Sequence, residues 1–117
     1  MLGELGRPDE ALKAFAKAIE LKPDYVEAVI NKGYIFNKID RPDEVLKTLD
    51  KAIELKPDYA DGWYNRACIY SVQGKKKETL FNLKKAIGIN ASYKEKAIKD
   101  VDFEKLWDDE YFQKIVR

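Results

Sequence analysis

Apolar residues recur along the chain at intervals of three and four, which is the spacing of a helix that buries one face. Two stretches follow this rule, and their apolar positions are Leu12, Phe15, Ala18 and Ile19 in one and Leu46, Leu49, Ala52 and Ile53 in the other. Pro8 and Pro42 suit the first helical position, where a missing backbone N–H costs nothing. Pro23 and Pro57 stop the helices. The pattern therefore predicts amphipathic helices bounded by prolines.

The chain repeats itself with a period of 34 residues. Residues 7–25 and 41–59 are identical at 15 of 19 positions, and a weaker third copy ends at Tyr93. The segments before the later copies repeat as well, because residues 29–33 lie 34 positions before residues 63–67. A fixed period of this size indicates stacked units of two helices each.

Turn and capping residues recur at fixed places between these helices. Asp24 and Asp58 are expected to cap the helix that follows each of them, because an Asp side chain accepts from free backbone N–H groups there. Gly33 and Ala67 are small where two helices would approach closely. Gly74 suits the turn that ends the first helix of its unit.

The period, the small residues and the closing prolines resemble the tetratricopeptide repeat. The residues that carry the resemblance are Trp63, Ala67, Tyr70, Leu83 and Ala86 in one unit and Gly33, Phe36, Leu49, Ala52 and Pro57 in another. The resemblance implies an all-α fold, a right-handed superhelix of antiparallel helical hairpins. It divides a single domain into a half repeat at 1–25, repeats at 26–59 and 60–93, and C-terminal capping helices at 94–117.

Residues 94–117 do not repeat. The string DFEKLWDDEYFQKI resembles the closing element of many bacterial and archaeal tetratricopeptide proteins, which covers the apolar face that the last repeat would otherwise expose. Ser92 is expected to cap a short helix, and two short amphipathic turns follow it. The aromatic residues that suit such a cap are Phe103, Trp107, Tyr111 and Phe112. The alternative interpretation makes these aromatic residues a partner-binding cluster.

Composition excludes several classes of function. The 22 Lys and Arg against 21 Asp and Glu give a net charge of +1, so no excess charge attracts nucleic acid or an anionic membrane. With one Cys and no His, the chain has no Ser-His-Asp triad and no zinc site rich in His or Cys. We therefore expect no enzyme activity, no small-molecule substrate, no cofactor and no metal.

The N-terminus bears on location and on self-association. Residues 1–6 lack the features of a signal peptide, and no apolar stretch approaches the length of a membrane span, so a cytoplasmic protein is expected. The same residues resemble the last turn of a helix whose earlier part is missing. Leu12, Phe15 and Ile19 would then be partly exposed, which predicts either a piece of a longer array or pairing with a second copy.

The resemblance also implies that the first helix of each repeat lines a concave groove. The candidate peptide-binding residues on these helices are Asn31, Tyr34, Lys38, Tyr64 and Asn65. Asn side chains both donate to and accept from a peptide backbone. Tyr offers contact area with a polar tip, and Lys38 would read charge. The alternative is that Asn31 and Asn65 are ordinary surface residues and that Tyr34 mainly packs.

The predicted function is a protein–protein interaction scaffold that binds an extended peptide or a short helix in this groove. Two alternatives stay open: an oligomerisation unit that uses the N-terminal helix, and a regulatory or docking segment of a larger enzyme. Some tetratricopeptide domains hold the acidic tails of chaperones. Glu27 and Asp61 would repel such a tail here, so that ligand is not expected. Replacing the two Asn and two Tyr groove residues by Ala should abolish partner capture.

Overall fold

The structure, a computed structural model, describes residues 8–117, which form two compact units that meet in sequence at Pro57 and Asp58. All regular secondary structure in these described residues is helical, which confirms the all-α prediction. The N-terminal unit ends at Pro57, and the C-terminal unit covers 58–117. Residues 1–6, where the sequence predicts the end of an earlier helix, lie outside the described part of the chain.

Three helices build the N-terminal unit: α1 (Pro8–Leu21), α2 (Val26–Lys38) and α3 (Pro42–Leu55). The helices α1 and α3 begin at the prolines that the sequence marks as first helical residues, which confirms that prediction. Helix α2 packs against both of them. Its buried face meets that of α3, and the core side chains are Ala28, Val29, Ile35, Phe36, Val45, Leu49, Ala52 and Ile53.

Gly33 marks the close approach of α2 and α3, as the sequence predicts. A Cβ atom at this position would lie 2.8 Å from Oγ1 of Thr48. Thr48 has little freedom to move, because its side chain is β-branched and its hydroxyl donates to the carbonyl of Val45 at 2.8 Å. The absence of a side chain at Gly33 therefore sets the distance between the two helices.

We expect Gly33→Ala to destabilise the chain although Ala favours a helix more than Gly does. Both Gly33→Ala and the control Gly88→Ala gain about 1 kcal/mol of helix propensity. Gly88 has no atom within 4 Å of a built Cβ, so that variant keeps the gain. Gly33→Ala also overpacks the interface at a cost of about 1–3 kcal/mol. Urea unfolding followed by circular dichroism would measure both; equal stabilisation by the two changes would contradict the close approach.

The expected Asp caps are wrong. The residues that precede α2 and α4 are Tyr25 and Tyr59, and neither helix has a side-chain cap. Asp24 lies one position too early, because a turn bond from the N–H of Tyr25 to the carbonyl of Lys22 delays the start of the helix. Ser92 also makes no side-chain cap, since its own backbone is already helical.

The C-terminal unit contains five helical elements: α4 (Ala60–Val72), α5 (Lys76–Ile89), α6 (Tyr93–Lys99), a 3-10 helix (Val101–Leu106) and α7 (Glu110–Val116). Helices α4 and α5 pack as a hairpin, joined by a turn in which Gly74 adopts a positive φ of 77°, as its sequence position predicts. The 3-10 helix lies on α4, and α7 lies on α5 and α6.

The four aromatic residues that the sequence assigns to the cap do not all contribute to the core. Phe103 and Phe112 are fully buried, and Trp107 is partly buried with its Nε1 donating to the carbonyl of Ala97 at 3.3 Å. Tyr111 is 58% exposed, so its assignment to the cap is wrong. Phe112 and Val116 share the buried face of α7 four residues apart, which places Tyr111 on another side.

Candidate functional site

One exposed face of α2 carries three of the predicted groove residues. Asn31, Tyr34 and Lys38 are spaced by three and four residues, so they project from the same side of the helix. All three are exposed, and Tyr34 is 49% accessible although it is a large aromatic residue. This face presents an amide, a phenol and an ammonium group in a row. It can donate to carboxylates and carbonyls, and its amide can also accept.

The matching face of α4 is covered by the C-terminal segment of the same chain. Tyr64 is only 1% exposed. Its hydroxyl donates to Oδ2 of Asp100 at 2.8 Å, and its ring meets Phe103 edge to face at 5.6 Å between centroids. Asn65, the next predicted groove residue, is partly buried. The helix face on which the sequence places Tyr64 therefore packs against the C-terminal segment of the same chain.

Three more side chains of α4 contact the same segment. The hydroxyl of Ser71 donates to the backbone carbonyl of Asp102 at 2.6 Å. The thiol of Cys68 lies 3.8 Å from Oδ2 of Asp100. Asp61 accepts a hydrogen bond from the hydroxyl of Tyr93. These contacts extend over three turns of α4, so the covered surface is a continuous strip. We call the face formed by Tyr64, Cys68 and Ser71 the α4 face.

The part of the segment that lies on the α4 face is a capped turn. Asp100 has an extended backbone, and its Oδ1 accepts from the N–H of Asp102 at 3.1 Å. This bond caps the 3-10 helix at Val101–Leu106, because the side chain satisfies a free N–H of the first turn. Phe103 follows three residues after Asp100 and is fully buried. One carboxylate thus organises its own turn and also binds α4.

Burial and neighbouring carboxylates set the electrostatics under this segment. Burial raises the pKa of the Tyr64 hydroxyl, and its hydrogen bond to Asp100 raises it further. Burial is also the main cause of the raised pKa of the Cys68 thiol, with Asp100 and Asp102 adding to it. The pKa of Asp102 is raised by burial and then by the charge of Asp100. The hydroxyl and the thiol therefore stay protonated and act as donors.

A second carboxylate in the cap behaves in the opposite way. Its hydrogen bond to Lys76, with the ammonium nitrogen 2.5 Å from Oδ2, holds the pKa of Asp109 below its ordinary value. Oδ1 of Asp109 accepts from the N–H groups of Tyr111 and Phe112 and so caps α7. This contact ties α7 to α5 in the C-terminal unit.

A thiol and two carboxylates also lie close enough to be compared with a metal site. In the described part of the chain, the ligand atoms of Cys68, Asp100 and Asp102 lie within 4.8 Å of one another. Asp100 already accepts hydrogen bonds on both oxygens, and the raised pKa of the thiol disfavours the thiolate that binds metals. The arrangement is that of a hydrogen-bonded contact between two parts of the chain.

The residues predicted for self-association lie along α1. Leu12, Phe15 and Ile19 are each partly buried in the structure. Helix α1 packs against α2, so part of its apolar stripe is used inside the N-terminal unit. The remainder stays accessible to solvent. Among residues 8–117, no helix combines the length and the apolar character needed to cross a bilayer.

Sequence reasoning missed Asp100 and the role of Ser71. Ser71 lies on the stripe of α4 that the 3.6-residue period defines, but nothing in its position says that a backbone carbonyl would reach it. Asp100 carries a local signal, since an Asp two residues before a free N–H can cap a turn. Its bond to Tyr64 spans 36 residues, and no local pattern indicates a contact of that range.

Comparison with known proteins places the chain among repeat proteins. A family model described as "Tetratricopeptide repeat" matches residues 4–69, which is more than half of the chain, and a second one with the same description matches residues 60–93. A search of curated proteins finds no match.

Solved structures share the fold at low sequence identity. One, the "Crystal structure of MamA", has a TM-score of 0.75 and 23% identity, covering 97% of this chain and 69% of its own. A second, the "Crystal structure of MamA protein", has a TM-score of 0.77 and 24% identity, covering 97% of this chain and 64% of its own.

A third, "MamA 41-end from Desulfovibrio magneticus RS-1", has a TM-score of 0.70 and 21% identity, covering 97% of this chain and 67% of its own. The chain thus spans about two thirds of the length of these structures. The shared hairpins agree with the 34-residue repeat and with the helices of both units. Together with the family match over most of its repeats, this shows that the chain belongs to the tetratricopeptide repeat family, whose usual role is protein–protein interaction.

Proposed function

We propose that this chain is a non-catalytic scaffold that binds an extended peptide or a short helix of a partner protein along the first helices of its repeats. The observation that carries the proposal is the exposed row of Asn31, Tyr34 and Lys38 on α2. A Tyr that is half exposed on a rigid helix provides contact area at a low cost in side-chain entropy. The Asn amide offers both a donor and an acceptor to a peptide backbone.

Helix α4 offers fewer accessible binding residues than α2 does. Asn65 is partly accessible, so it can contact a partner on α4 as it stands. Tyr64 is buried under the C-terminal segment, so it can meet a partner only after that segment has left. The proposed site therefore begins on α2, and the test is restricted to that helix.

We expect the triple variant Asn31→Ala, Tyr34→Ala and Lys38→Ala to lose partner capture by at least about tenfold, since a central aromatic contact alone is commonly worth more than 1 kcal/mol. Its fold should survive, because all three side chains are exposed. Affinity capture from a lysate of the source cells, quantified by mass spectrometry against the wild type, gives the measurement. The double variant Tyr111→Ala and Lys114→Ala is the matched control, because it removes two of the three residue types, a Tyr and a Lys, from the exposed side of α7. Undiminished capture by the triple variant would move the site away from α2.

A second candidate function is self-association through α1. It is favoured by the partial exposure of Leu12, Phe15 and Ile19 on one apolar stripe. If α1 pairs with a second copy, light scattering should show a dimer that dissociates on dilution. Phe15→Glu would then convert it to a monomer, because a charge in an apolar interface is costly. A wild type that is monomeric at every concentration would exclude this candidate.

A further inference from the structure

Residues 100–103 contact α4 in the way that a bound peptide contacts its receptor. The receptor side supplies the hydroxyls of Tyr64 and Ser71, and the bound side supplies a carboxylate, a backbone carbonyl and one buried aromatic ring. Side-chain donors that read a peptide backbone, together with one deep apolar anchor, are typical of peptide recognition. The occupied α4 face thus shows which chemistry it accepts.

We infer that the α4 face is a recognition site for a turn of the sequence Asp-x-x-Phe, and that the chain's own Asp100–Phe103 turn occupies it in competition with such a turn from a partner protein. This inference rests on the proposed function, because it names the partner chemistry for α4, the first helix of the last repeat. The occupant is a segment of a partner protein, and not a second copy of this chain.

The first and last positions of the turn carry the specificity. An Asp at the first position makes two bonds at once: Oδ1 caps the turn through the N–H of Asp102, and Oδ2 accepts from Tyr64. A Glu would place its carboxylate one methylene farther out and could not make both bonds from the same backbone position. At the fourth position, Phe103 fills the space beside Tyr64 and Phe112, with centroids 5.6 and 5.9 Å away.

The two middle positions are read through the backbone, apart from a contact between the Asp102 carboxylate and the thiol of Cys68. Ser71 bonds the carbonyl of Asp102, which every residue type offers, and the side chain of Val101 is exposed. Burial and then the charge of Asp100 raise the pKa of Asp102, whereas its hydrogen bond with Cys68 lowers it, so the two carboxylates of the turn repel each other when both are charged. A partner turn with an uncharged residue at the third position would avoid this repulsion. Such a turn should bind the α4 face better than the chain's own.

The docked segment is held by its contacts with the rest of the unit, because its own elements are short. The 3-10 helix has six residues, and α6 and α7 have seven each, so none is long enough to persist alone. Short elements of this kind open before the rest of a domain does. The tethered turn nevertheless has an effective concentration on the order of millimolar, which a partner must overcome. A partner turn therefore replaces the chain's own turn only if it binds the α4 face more tightly.

Cys68 reports whether the α4 face is covered. It is the only cysteine of the chain, and its thiol lies beneath Asp100. In the wild type, burial and the raised pKa should make alkylation by iodoacetamide slow. In Phe103→Ala, which loses the anchor of the turn, we expect alkylation to be faster on the order of 100-fold, because labelling follows the open population.

A synthetic peptide with the sequence of residues 97–106, carrying Asn in place of Asp102, then supplies the turn in trans. We expect it to slow alkylation of Phe103→Ala by about tenfold, as binding reduces the open population. The matched peptide with Ala at the Phe position should give no protection. Protection by neither peptide, or equal protection by both, would overturn the inference. A wild-type dimer that Phe15→Glu leaves intact and Phe103→Ala dissociates would overturn it as well, because a second copy would then be the occupant.

A second opened variant guards against loss of the fold. If the fluorescence of Phe103→Ala is that of an unfolded chain, Asp100→Ala takes its place, since it removes the cap and the acceptor and leaves the Phe anchor. On that variant too, the peptide with Phe must slow alkylation of Cys68 and the peptide with Ala must not. Adding the α2 triple variant separates the two proposals. If the peptide still protects Cys68 in the α2 triple variant while partner capture is lost, the α2 site and the α4 site are both supported. If capture depends on α2 but the peptide gives no protection, only the α4 site is overturned.

Discussion

Replacing Phe103 with alanine is expected to lower the free energy of unfolding of the C-terminal unit by about 3–5 kcal/mol. The ring is fully buried and packs between those of Tyr64 and Phe112. The substitution loses the free energy gained by transferring a large apolar side chain out of water. It also leaves a cavity that the surrounding helices fill only in part. The loss is a large share of the 5–15 kcal/mol, in rough terms, that stabilises a typical domain.

Tryptophan fluorescence during urea unfolding measures this effect in the correct unit. Both tryptophans of the chain, Trp63 and Trp107, belong to the C-terminal unit. The matched control is Val101→Ala in the same 3-10 helix, where the side chain is 66% exposed and the expected change is within about 0.5 kcal/mol. If Phe103→Ala unfolded at the same urea concentration as this control, the docked position of the turn would be incorrect.

The expected loss also explains why the C-terminal segment folds at all. Helices of six or seven residues are not stable in isolation, because nucleation costs more than so few hydrogen bonds return. Asp100 and Asp109 each supply a cap to an element of this segment, but caps contribute only modestly. The aromatic residues that reach the core of the unit supply the rest. Phe103 and Phe112 are the two that are fully buried.

Much of the fold follows from local signals in the sequence. Pro42 sets the start of α3, and Gly33 sets its close approach to α2, since each acts through its own backbone geometry. Repetition at 34 residues extends these assignments from one unit to the next. The caps at Asp24 and Asp58 were not predictable in this way, because a tight turn shifts the helix start by one residue.

The candidate site is predictable only in part, for a different reason. Helical periodicity assigns Tyr34 and Tyr64 to equivalent sides of two first helices, but it does not say what lies on those sides. Tyr34 stays exposed, and Tyr64 is covered by residues that follow it by 36 to 39 positions. The cover comes from a segment outside the repeat, so the repeat pattern carries no information about it.

Tyr64 gives the second large effect, and two substitutions separate the parts of its role. Tyr64→Ala should lower the stability of the C-terminal unit by about 3–5 kcal/mol, because it removes a ring that is buried beside Tyr93 and Phe103. Tyr64→Phe keeps that packing and removes only the hydroxyl that donates to Asp100. Its expected cost is about 1.5–3 kcal/mol, the range for a hydrogen bond to a charged group.

The matched control for the hydroxyl is Tyr34→Phe, since Tyr34 is a large aromatic residue on the first helix of the preceding repeat and is exposed. Its change should stay within about 0.5 kcal/mol. The comparison distinguishes two roles for Tyr64 by the same urea experiment. An open groove residue would tolerate Tyr64→Ala as α2 tolerates the loss of Tyr34. A residue that the chain's own C-terminal segment covers would not tolerate it. Tyr64→Phe should then also raise the alkylation rate of Cys68, because it removes a hydrogen bond that keeps the Asp100 turn in place.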